Sequence, residues 1–221
     1  MIPNSSDLPG IFWPLMLSYL LGSIPSAVWI GQWFYHIDIR KYGSKNAGAT
    51  NVMRVLGIKA GIPVLIIDML KGWAAVSLVF FQDYYSQDTE EGVVYAIFLG
   101  ILAVIGHIFP IFARFKGGKG VATVTGVCAG LAPLATITAF TVFLIVVIVT
   151  KFVSLGSLCA AIYFSAFFLL IVPQSSLSLK VFSVIVALLI IITHRKNIQR
   201  LWKGKENRAT FLFKSQNSNS D

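Results

Sequence analysis

An uninterrupted apolar run near the start of the chain limits its possible folds more than any other feature. Residues 11–34 carry no charged side chain, and about 20 apolar residues are enough for a helix to cross a bilayer. The rest of the chain has the same character: 56% of its residues are hydrophobic and 12% are charged, whereas soluble domains carry about 25% charged residues. The sequence therefore predicts an integral membrane protein.

The net charge of +9 comes mostly from basic residues between the apolar stretches. Because these are not interleaved with aromatic residues on a polar surface, we expect them to line cytoplasmic loops beside anionic lipid, with no nucleic-acid partner. Cys128 and Cys159 lie inside apolar segments without metal-ligand spacing, so we interpret them as packing residues. The N-terminus lacks a basic n-region and a small-residue cleavage site before the first apolar run, which predicts a retained anchor and not a removed signal peptide.

Six apolar stretches stand out, at about 11–34, 60–81, 92–112, 120–150, 152–173 and 179–193. The stretch 120–150 is too long for one span and has Pro133 near its middle. If it crosses twice, every basic cluster lies on one face and the acidic connection 82–91 lies outside, as the positive-inside rule requires. Although 120–132 covers only about 20 Å, a short helix is tolerated where it is buried or lines a polar cavity.

The sequence thus predicts an all-α polytopic fold of seven transmembrane helices, some of them short or broken. The N-terminus lies outside and the C-terminus is cytoplasmic. We predict one membrane domain over residues 1–208 and a polar, disordered tail over 209–221.

Three polar segments fall on the predicted cytoplasmic side. The first, residues 38–54 (DIRKYGSKNAGATNVMR), is rich in Gly, Ser, Asn and Thr, whose N–H and hydroxyl groups suit an anion. A helix beginning near Thr50 would add its positive end, and Arg54 could supply a planar fork for phosphate. This pattern predicts a phosphate site, with an ordinary basic loop as the alternative.

The second segment, residues 115–123 (FKGGKGVAT), places glycines around Lys119 at the start of a helix. It is not a Walker A loop, because Ala113 stands five residues before Gly118 and Gly120 occupies the position of the Ser or Thr. Glycines beside a lysine at a helix start favour the approach of an anion. A flexible basic connector is the alternative.

The third segment, residues 194–206 (HRKNIQRLWKGKE), leaves the last apolar stretch. His194 and Asn197 are three residues apart, so they share one face of a helix. On its own, a basic helix with a Trp is typical of an interfacial anchor. Ser154 marks one further cytoplasmic turn.

Two sites inside the spans carry ionisable residues. Asp68 and Lys71 lie at i, i+3 spacing, and the cost of charge at that depth favours a mutual structural pair over a catalytic role. His107 is interpreted as a packing histidine with satisfied hydrogen bonds. Neither His36 nor His107 has metal-motif spacing, so we expect no metal and no cofactor.

Together, GSKNAGATNVMR, GHIFPIFARFKGGKGVAT and HRKNIQRLWKG, in this order, strongly resemble the bacterial acyl-phosphate:glycerol-3-phosphate acyltransferase family (PlsY type). The resemblance runs from about Tyr19 to Glu206 and includes YLLGSIPSA, DMLKG and KFVSLGS. It implies seven transmembrane helices in the bacterial inner membrane, with one active site that faces the cytoplasm. It also implies acyl transfer from acyl phosphate to the sn-1 hydroxyl of glycerol 3-phosphate, which gives lysophosphatidic acid and phosphate in the first step of phospholipid synthesis. Membrane lipid and the enzyme that forms acyl phosphate are the implied partners.

The resemblance also assigns site residues. Those implied to act in catalysis are Ser44, His194 and Asn197. Those implied to bind substrate or phosphate are Gly43, Ser44, Asn46, Gly48, Thr50, Asn51, Arg54, Gly117, Gly118, Lys119, Gly120, Ser154 and Glu206. One departure is visible, because Lys45 stands where the family usually has glycine. Lys45 does not adopt positive φ as freely, so either the turn does not need it or the loop geometry differs.

The chemistry requires a site that holds two phosphates, orients a hydroxyl and stabilises an oxyanion. No histidine in the chain has an aspartate at His-x₄-Asp spacing. His194 could act as a base or orient the substrate, or a substrate phosphate with a second pKa near 6 could take the proton. We favour substrate assistance, and we expect Ser44 to hydrogen bond the donor phosphate and not to act as a nucleophile.

Two other classes were weighed. A transporter of phosphorylated solutes would show an inverted repeat and polar residues on both membrane faces. A phosphotransferase that uses a cytidine-activated alcohol would need an Asp-rich metal cluster. The chain shows neither pattern.

Overall fold

A computed structural model describes residues 8–82 and 89–212. Within these ranges every regular element is a helix and there is no β-strand, so the predicted all-α class is confirmed. The α-helices are α1 Leu8–Gly22, α2 Ser26–Tyr35, α3 Ala49–Leu56, α4 Ile58–Ser77, α5 Glu90–Ile108, α6 Val121–Leu131, α7 Pro133–Thr150, α8 Val153–Ala166, α9 Leu177–Thr193 and α10 Arg195–Trp202. Short 3₁₀ turns cover Ile39–Lys41, Leu78–Phe81, Ile111–Ala113 and Thr210–Leu212, and a π-helical turn covers Phe167–Ile171.

Four helices of the described chain are long and apolar enough to cross a membrane: Ile58–Phe81, Glu90–Ala113, Pro133–Thr150 and Val153–Ile171. Two bent pairs, α1 with α2 and α9 with α10, raise that number to six if each pair is one span. Large apolar side chains point outward from the bundle, which is the arrangement of a lipid-facing surface. The polytopic membrane class is thus confirmed, whereas the count of seven and the orientation of the termini stay predictions.

The first predicted span is interrupted in the structure. α1 ends at Gly22 and α2 begins at Ser26, with a bend of 44° between them. The cause lies in Pro25, which has no N–H to donate and disfavours helical backbone at Ile24. The break leaves the Ile24 carbonyl free of the helix, and it accepts a hydrogen bond from the Lys71 ammonium at 2.8 Å.

The long stretch 120–150 breaks where its proline predicts. α6 ends at Leu131, Ala132 has a non-helical backbone, and α7 begins with Pro133, a residue whose missing N–H is not needed in the first turn of a helix. With eleven residues, α6 is about 16 Å long, which is shorter than the hydrocarbon core of a bilayer.

Contacts at the two ends of this helix pair show that it returns to its starting side. Lys119, just before α6, hydrogen bonds Asn197. Ser154, just after the end of α7, hydrogen bonds Glu206, which also accepts a hydrogen bond from Asn197. Both ends of the α6–α7 pair therefore lie at the same end of the bundle.

The short helix α6 is buried against α4. A Cβ atom at Gly126 would overlap the main-chain oxygen of Met69, so the absence of a side chain lets the two backbones approach. Close approach of small residues is the usual basis of helix association in lipid. Cys128 is buried in the hydrophobic core and Cys159 is half-buried; both are free thiols.

Two predicted regions extend outside the described residues. The acidic connection 82–91 is described only at its two ends, and most of the predicted tail 209–221 is not described. Ala209 is fully buried and its N–H donates to the Lys151 carbonyl at 2.7 Å. The packed part of the chain therefore continues past the predicted boundary at 208.

Candidate active site

The three polar segments meet at one end of the bundle. Lys119 of the second segment donates a hydrogen bond to the Asn197 Oδ1 of the third. Arg54 of the first segment lies close enough to Glu206 and Arg200 for their charges to act on it. Burial lowers the pKa of Arg54, and the Glu206 carboxylate opposes that shift. The cluster therefore joins side chains from α3, the loop before α6, and α10 with the chain after it.

The first loop is held by an internal ion pair and by a contact with the second loop. The Asp38 carboxylate accepts a hydrogen bond from the Arg40 N–H at 3.0 Å and pairs with its guanidinium at 2.8 Å. The same guanidinium donates to the Ala113 carbonyl at 3.0 Å. The hydrogen bond from Arg40 holds the pKa of Asp38 below its ordinary value.

Asn51 is a brace inside the first loop. Its Oδ1 accepts a hydrogen bond from the Ser44 N–H at 2.8 Å, and its Nδ2 donates to the carbonyls of Ile39 and Tyr42 at 3.2 and 3.1 Å. The residue is only 1% exposed. Both polar atoms of the amide are occupied by protein groups, and Asn51 thereby positions the Ser44 N–H. A direct contact of Asn51 with phosphate stays a prediction.

The turn around Ser44 does need positive φ. Gly43 has φ of 57° and Lys45 has φ of 60°, so the lysine adopts the left-handed backbone that its sequence position left in doubt. A non-glycine residue in this region costs about 1–2 kcal/mol. The loop therefore has the geometry expected for glycine at position 45, and the backbone of Lys45 is strained as a result.

The other predicted residues of the first segment surround the start of α3. Gly48 is the N-cap residue, and Thr50 is half-buried in the first turn. The Asn46 amide lies beside Gly48, at 2.9 Å from the position of a Cβ there. Arg54 is half-buried in the last turn. Contact of any of these with a substrate stays a prediction.

The glycines of the second loop pack against protein and not around an open anion site. The N–H of Gly117 donates to the Ile108 carbonyl at 3.1 Å, and that of Gly118 donates to the His107 carbonyl at 3.2 Å. Gly120 is the N-cap residue of α6 and has φ of 80°. Both N–H donors are thus occupied by the end of α5, and the approach of Gly117 and Gly118 to a phosphate stays a prediction.

Lys119 is the charged group that the second loop brings to the site. Its ammonium bonds Asn197, and burial lowers its pKa to about 8. The Glu206 carboxylate opposes this shift, whereas the positive charges of Arg200 and Arg54 reinforce it. Lys119 thus carries a positive charge at neutral pH that is partly shielded from water.

His194 lies between α9 and α10, beyond the last residue of the apolar helix. Its Nδ1 is 2.9 Å from the Ile190 carbonyl. Since a carbonyl only accepts, Nδ1 carries the hydrogen and Nε2 remains as an acceptor. Burial, with the nearby charge of Lys119, lowers the pKa of His194 to about 4. The imidazole is therefore neutral at physiological pH.

Glu206 accepts several hydrogen bonds that connect the third segment to its surroundings. It accepts hydrogen bonds from Asn197 Nδ2 at 2.7 Å, Ser154 Oγ at 3.0 Å and Arg200 Nε at 2.7 Å, and its side chain is 5% exposed. Burial opposes its ionisation, but these hydrogen bonds outweigh burial and lower the pKa of Glu206. Ser154 and Glu206 therefore support Asn197, and their contact with substrate stays a prediction.

Arg200 joins the site although the sequence analysis assigned it no role. It lies three residues after Asn197 on α10, and its guanidinium bonds the Glu206 carboxylate. The same i, i+3 spacing that paired His194 with Asn197 was the available signal.

Asp68 and Lys71 contact each other deep in the bundle. Their charged groups are 2.8 Å apart, with side chains 1% and 3% exposed, and Ser26 Oγ donates to Asp68 at 2.7 Å. His107 is buried next to them and hydrogen bonds Thr123 at 3.1 Å. Within the described ranges no group of three or more His, Cys, Asp and Glu side chains could hold a metal ion.

Fold and site together define a polytopic helical membrane protein with a cationic, hydrogen-bonded cluster at one end of its bundle. Residues 12–204 match the family model described as glycerol-3-phosphate acyltransferase. This chain belongs to the glycerol-3-phosphate acyltransferase family, as its three polar segments predicted.

Relatives and solved structures agree with this family. The chain is 42% identical to the glycerol-3-phosphate acyltransferase of Enterococcus faecalis, over 89% of this chain and 91% of that protein. It is 45% identical to glycerol-3-phosphate acyltransferase 2 of Bacillus anthracis, over 88% and 96%. The crystal structure of PlsY (YgiH), an integral membrane glycerol 3-phosphate acyltransferase, is similar in its glycerol 3-phosphate form, with TM-score 0.79 and 35% identity over 90% and 95% of the two chains. Its lysophosphatidic acid form gives TM-score 0.78 and 34% identity over 93% and 100%.

Proposed function

We propose that this chain transfers an acyl group from acyl phosphate to the sn-1 hydroxyl of glycerol 3-phosphate. The products are lysophosphatidic acid and inorganic phosphate. One observation carries the proposal: Arg54, Lys119, His194 and Asn197, from three separate segments, form a single cluster in a chain of the glycerol-3-phosphate acyltransferase family.

The cationic residues suit the two phosphates of the reaction. Lys119 and Arg54 neutralise phosphate charge, and the guanidinium of Arg54 can bind two oxygens at once. Ser44, whose N–H is fixed by Asn51, hydrogen bonds the donor phosphate through its hydroxyl. Asn46 and Thr50 complete the surroundings of that phosphate.

In the reaction, the sn-1 oxygen attacks the carbonyl carbon of the acyl phosphate. A carbon–oxygen ester bond forms, the bond from that carbon to the phosphate oxygen breaks, and phosphate leaves with the bonding electron pair. The hydroxyl proton passes to a substrate phosphate, whose second pKa is about 6. Proximity supplies much of the acceleration because the donor is already activated.

His194 orients glycerol 3-phosphate. Its Nε2 can accept a hydrogen bond from the sn-2 hydroxyl, since Nδ1 faces the Ile190 carbonyl, and the sn-1 proton remains available to the phosphate. A group with a pKa of about 4 is a weaker base than a phosphate dianion, which favours substrate assistance. Asn197 holds Lys119 and completes the orientation. Ser44 has no hydrogen bond to a histidine among the described residues, so it lacks the adjacent base that a nucleophile needs.

The cell location is part of the proposal. Four basic clusters fall on one predicted face, which supports a multi-pass protein of the bacterial inner membrane with a cytoplasmic site. Acyl phosphate is reactive and amphiphilic, which supports a functional link to the enzyme that forms it. Residues 1–208 act as one domain in this proposal, although packing continues past that boundary.

The direct test uses purified protein in lipid vesicles with acyl phosphate and glycerol 3-phosphate. We expect lysophosphatidic acid and inorganic phosphate in equal amounts. Replacement of acyl phosphate by acyl coenzyme A should give no product. Equal or faster turnover with the thioester, or passage of glycerol 3-phosphate across the vesicle without turnover, would contradict the proposal.

A second test separates the two proton acceptors. His194→Gln keeps a hydrogen-bonding group but loses the imidazole, so we expect reduced kcat with turnover retained across pH 6 to 9. His36→Gln, at an exposed position outside the site, is the control. Complete loss of turnover with an unchanged affinity for glycerol 3-phosphate would make His194 the base. Trapping of an acyl group on Ser44 would replace direct transfer by covalent catalysis.

A further inference from the structure

A buried polar cluster lies beneath the second loop and has no part in the reaction described above. The Asp68 Oδ1 atom accepts from Ser26 and Lys71 and is 3.5 Å from His107 Nδ1. The other oxygen, Oδ2, has no hydrogen-bond partner among the described residues. A buried ion pair is weak support for stability by itself, because an apolar replacement is often neutral or better. The cluster is therefore better explained by a role other than stabilising the fold.

His107 holds the chain on both sides of Lys119. On one side its carbonyl accepts a hydrogen bond from the Gly118 N–H at 3.2 Å. On the other side its Nδ1 hydrogen bonds Thr123 Oγ1 at 3.1 Å. A Cβ at Gly118 would also overlap the His107 ring. His107, near the end of α5, thus attaches the loop before α6 through its carbonyl and the first turn of α6 through its side chain.

The ion pair in turn fixes His107. Asp68 faces its ring, and Lys71 is anchored by the Ile24 carbonyl at the break between α1 and α2. A cavity of about 10 Å³ separates this pair from the loop, and it is lined by Asp68, Lys71, His107, Gly117 and Gly118. The pair, the histidine and the loop are consequently in one continuous contact network.

We propose that His107 and Thr123, held by the Asp68–Lys71 pair, are positioning residues that set Lys119 for phosphate binding. The inference rests on the proposed function of Lys119. A lysine side chain has several rotatable bonds, and ordering it costs free energy on binding. Fixing its main chain on both sides lowers that cost before the substrate arrives.

The test compares two threonines of α6 in full-length protein in lipid vesicles. Thr123→Val removes the hydroxyl that bonds His107 and keeps the side-chain volume. Thr125→Val is the matched control, because its hydroxyl bonds the Val121 carbonyl within the same helix. Thr123→Ser keeps the hydroxyl and should restore the wild-type KM. Lys119→Ala identifies which of the two substrates depends on the lysine.

We expect Lys119→Ala to raise the KM of that substrate about 10- to 100-fold, and Thr123→Val to raise the same KM about 3- to 10-fold with less change in kcat. Thr125→Val should leave the KM unchanged. In the Lys119→Ala background, Thr123→Val should have no further effect on KM, because a positioning residue acts through the group it positions.

The outcomes separate the two proposals. If Lys119→Ala leaves both KM values unchanged, the proposed function of Lys119 fails. If Lys119→Ala raises a KM but Thr123→Val behaves like Thr125→Val, the positioning inference alone is wrong. The positioning inference is also wrong if Thr123→Val lowers the thermal stability and kcat while KM stays constant. It is likewise wrong if Thr123→Val raises KM as much in the Lys119→Ala background as in the wild type. Should Thr123→Val not fold, His107→Asn, which keeps a polar group near Thr123, replaces it against His107→Ala.

Discussion

Lys45 has a strained backbone conformation that allows its neighbours to form the loop. Its φ of 60° lets the loop turn so that the Ser44 N–H reaches Asn51 at 2.8 Å. The side chain is exposed and gains no packing that would offset the strain. Glycine reaches the same backbone without the clash of a Cβ atom.

We therefore expect Lys45→Gly to stabilise the protein by about 0.5–1 kcal/mol. Glycine removes the strain of the left-handed backbone, but part of that gain is lost because glycine raises the conformational entropy of the unfolded chain. Thermal unfolding in detergent measures the change. Lys41→Gly is the control, because Lys41 is exposed in a 3₁₀ turn with ordinary φ, and it should destabilise. A lower melting temperature for Lys45→Gly than for Lys41→Gly would refute the strain argument.

The charge of Lys119 should set the alkaline limit of substrate binding. Burial lowers its pKa to about 8, against Glu206 and together with Arg200 and Arg54. The ammonium is charged below that pH and neutral above it, so the KM for its phosphate substrate should rise up to about tenfold per pH unit above 8. Substrate phosphates stay dianionic throughout this range.

Steady-state kinetics from pH 7 to 9.5 measure this rise. Lys119→Arg is the matched variant, because a guanidinium stays charged over the whole range, and its KM should stay flat. An equal rise in Lys119→Arg would assign the alkaline limit to another group.

At the level of elements, α10 is held in place by the chain that follows it. Glu206 accepts hydrogen bonds from Asn197 and Arg200 of α10 and from Ser154 in the first turn of α8. Beyond it, the Ala209 N–H donates to the Lys151 carbonyl. The segment therefore ties α10 to the turn between α7 and α8 and places Asn197 beside Lys119.

Glu206→Ala should destabilise the protein by about 1–3 kcal/mol, because it leaves the buried Asn197 amide and the partly exposed Arg200 guanidinium without their acceptor. Glu206→Gln keeps one acceptor oxygen and should lose less. Thermal unfolding ranks the two against Lys205→Ala, an exposed neighbour that should stay within about 0.5 kcal/mol of wild type. Equal stability of Glu206→Ala and Lys205→Ala would show that the network does not hold α10.

For the whole molecule, the site end and the opposite end should lie on different sides of the membrane. Lys45, Lys116 and Lys196 are exposed at the end that carries the site, whereas Thr89 and Gln174 are exposed near the far ends of α5 and α9. The two far ends are joined by a hydrogen bond from the Ser178 N–H to Glu90. The positive-inside rule places the first set in the cytoplasm.

Single cysteines at these five positions test this topology, in a background with Cys128 and Cys159 replaced by alanine. An impermeant thiol reagent should label Thr89→Cys and Gln174→Cys in intact cells. It should label Lys45→Cys, Lys116→Cys and Lys196→Cys only after permeabilisation. Labelling of any of these three in intact cells would place a loop of the site in the periplasm and contradict the proposed function.

Much of this arrangement could be predicted because it depends on local chemistry. A proline in a long apolar run predicted the break before α7, and the cost of charge in lipid predicted that Asp68 and Lys71 would meet. The bend at Pro25 shows the limit of this reasoning. Pro14 and Pro63 also lie inside apolar runs, but each is within a continuous helix. A proline by itself therefore does not predict whether the helix is interrupted.

The direction of backbone and amide hydrogen bonds could not be predicted. Glycine-rich sequence is equally compatible with N–H groups that face a ligand and with N–H groups that face protein. At Gly117 and Gly118 the end of α5 supplies the acceptors, and at Asn51 the preceding loop does. These partners lie on other parts of the chain, so only their placement in three dimensions selects between the two arrangements.

Composition, charge bias and the order of three short segments were sufficient for the membrane class, the family and the list of candidate residues, because transfer free energies and side-chain chemistry belong to each residue wherever it packs. Which of those residues face a substrate and which face each other depended on helix packing. The contacts of Glu206 with α10 and Ser154 put Asn197 at Lys119, the end of α5 turned the N–H groups of Gly117 and Gly118 inward, and the preceding loop enclosed the Asn51 amide. Distances between groups far apart in the chain arise from packing, and those distances place Lys119 in the polar cluster and make Asn51 a brace.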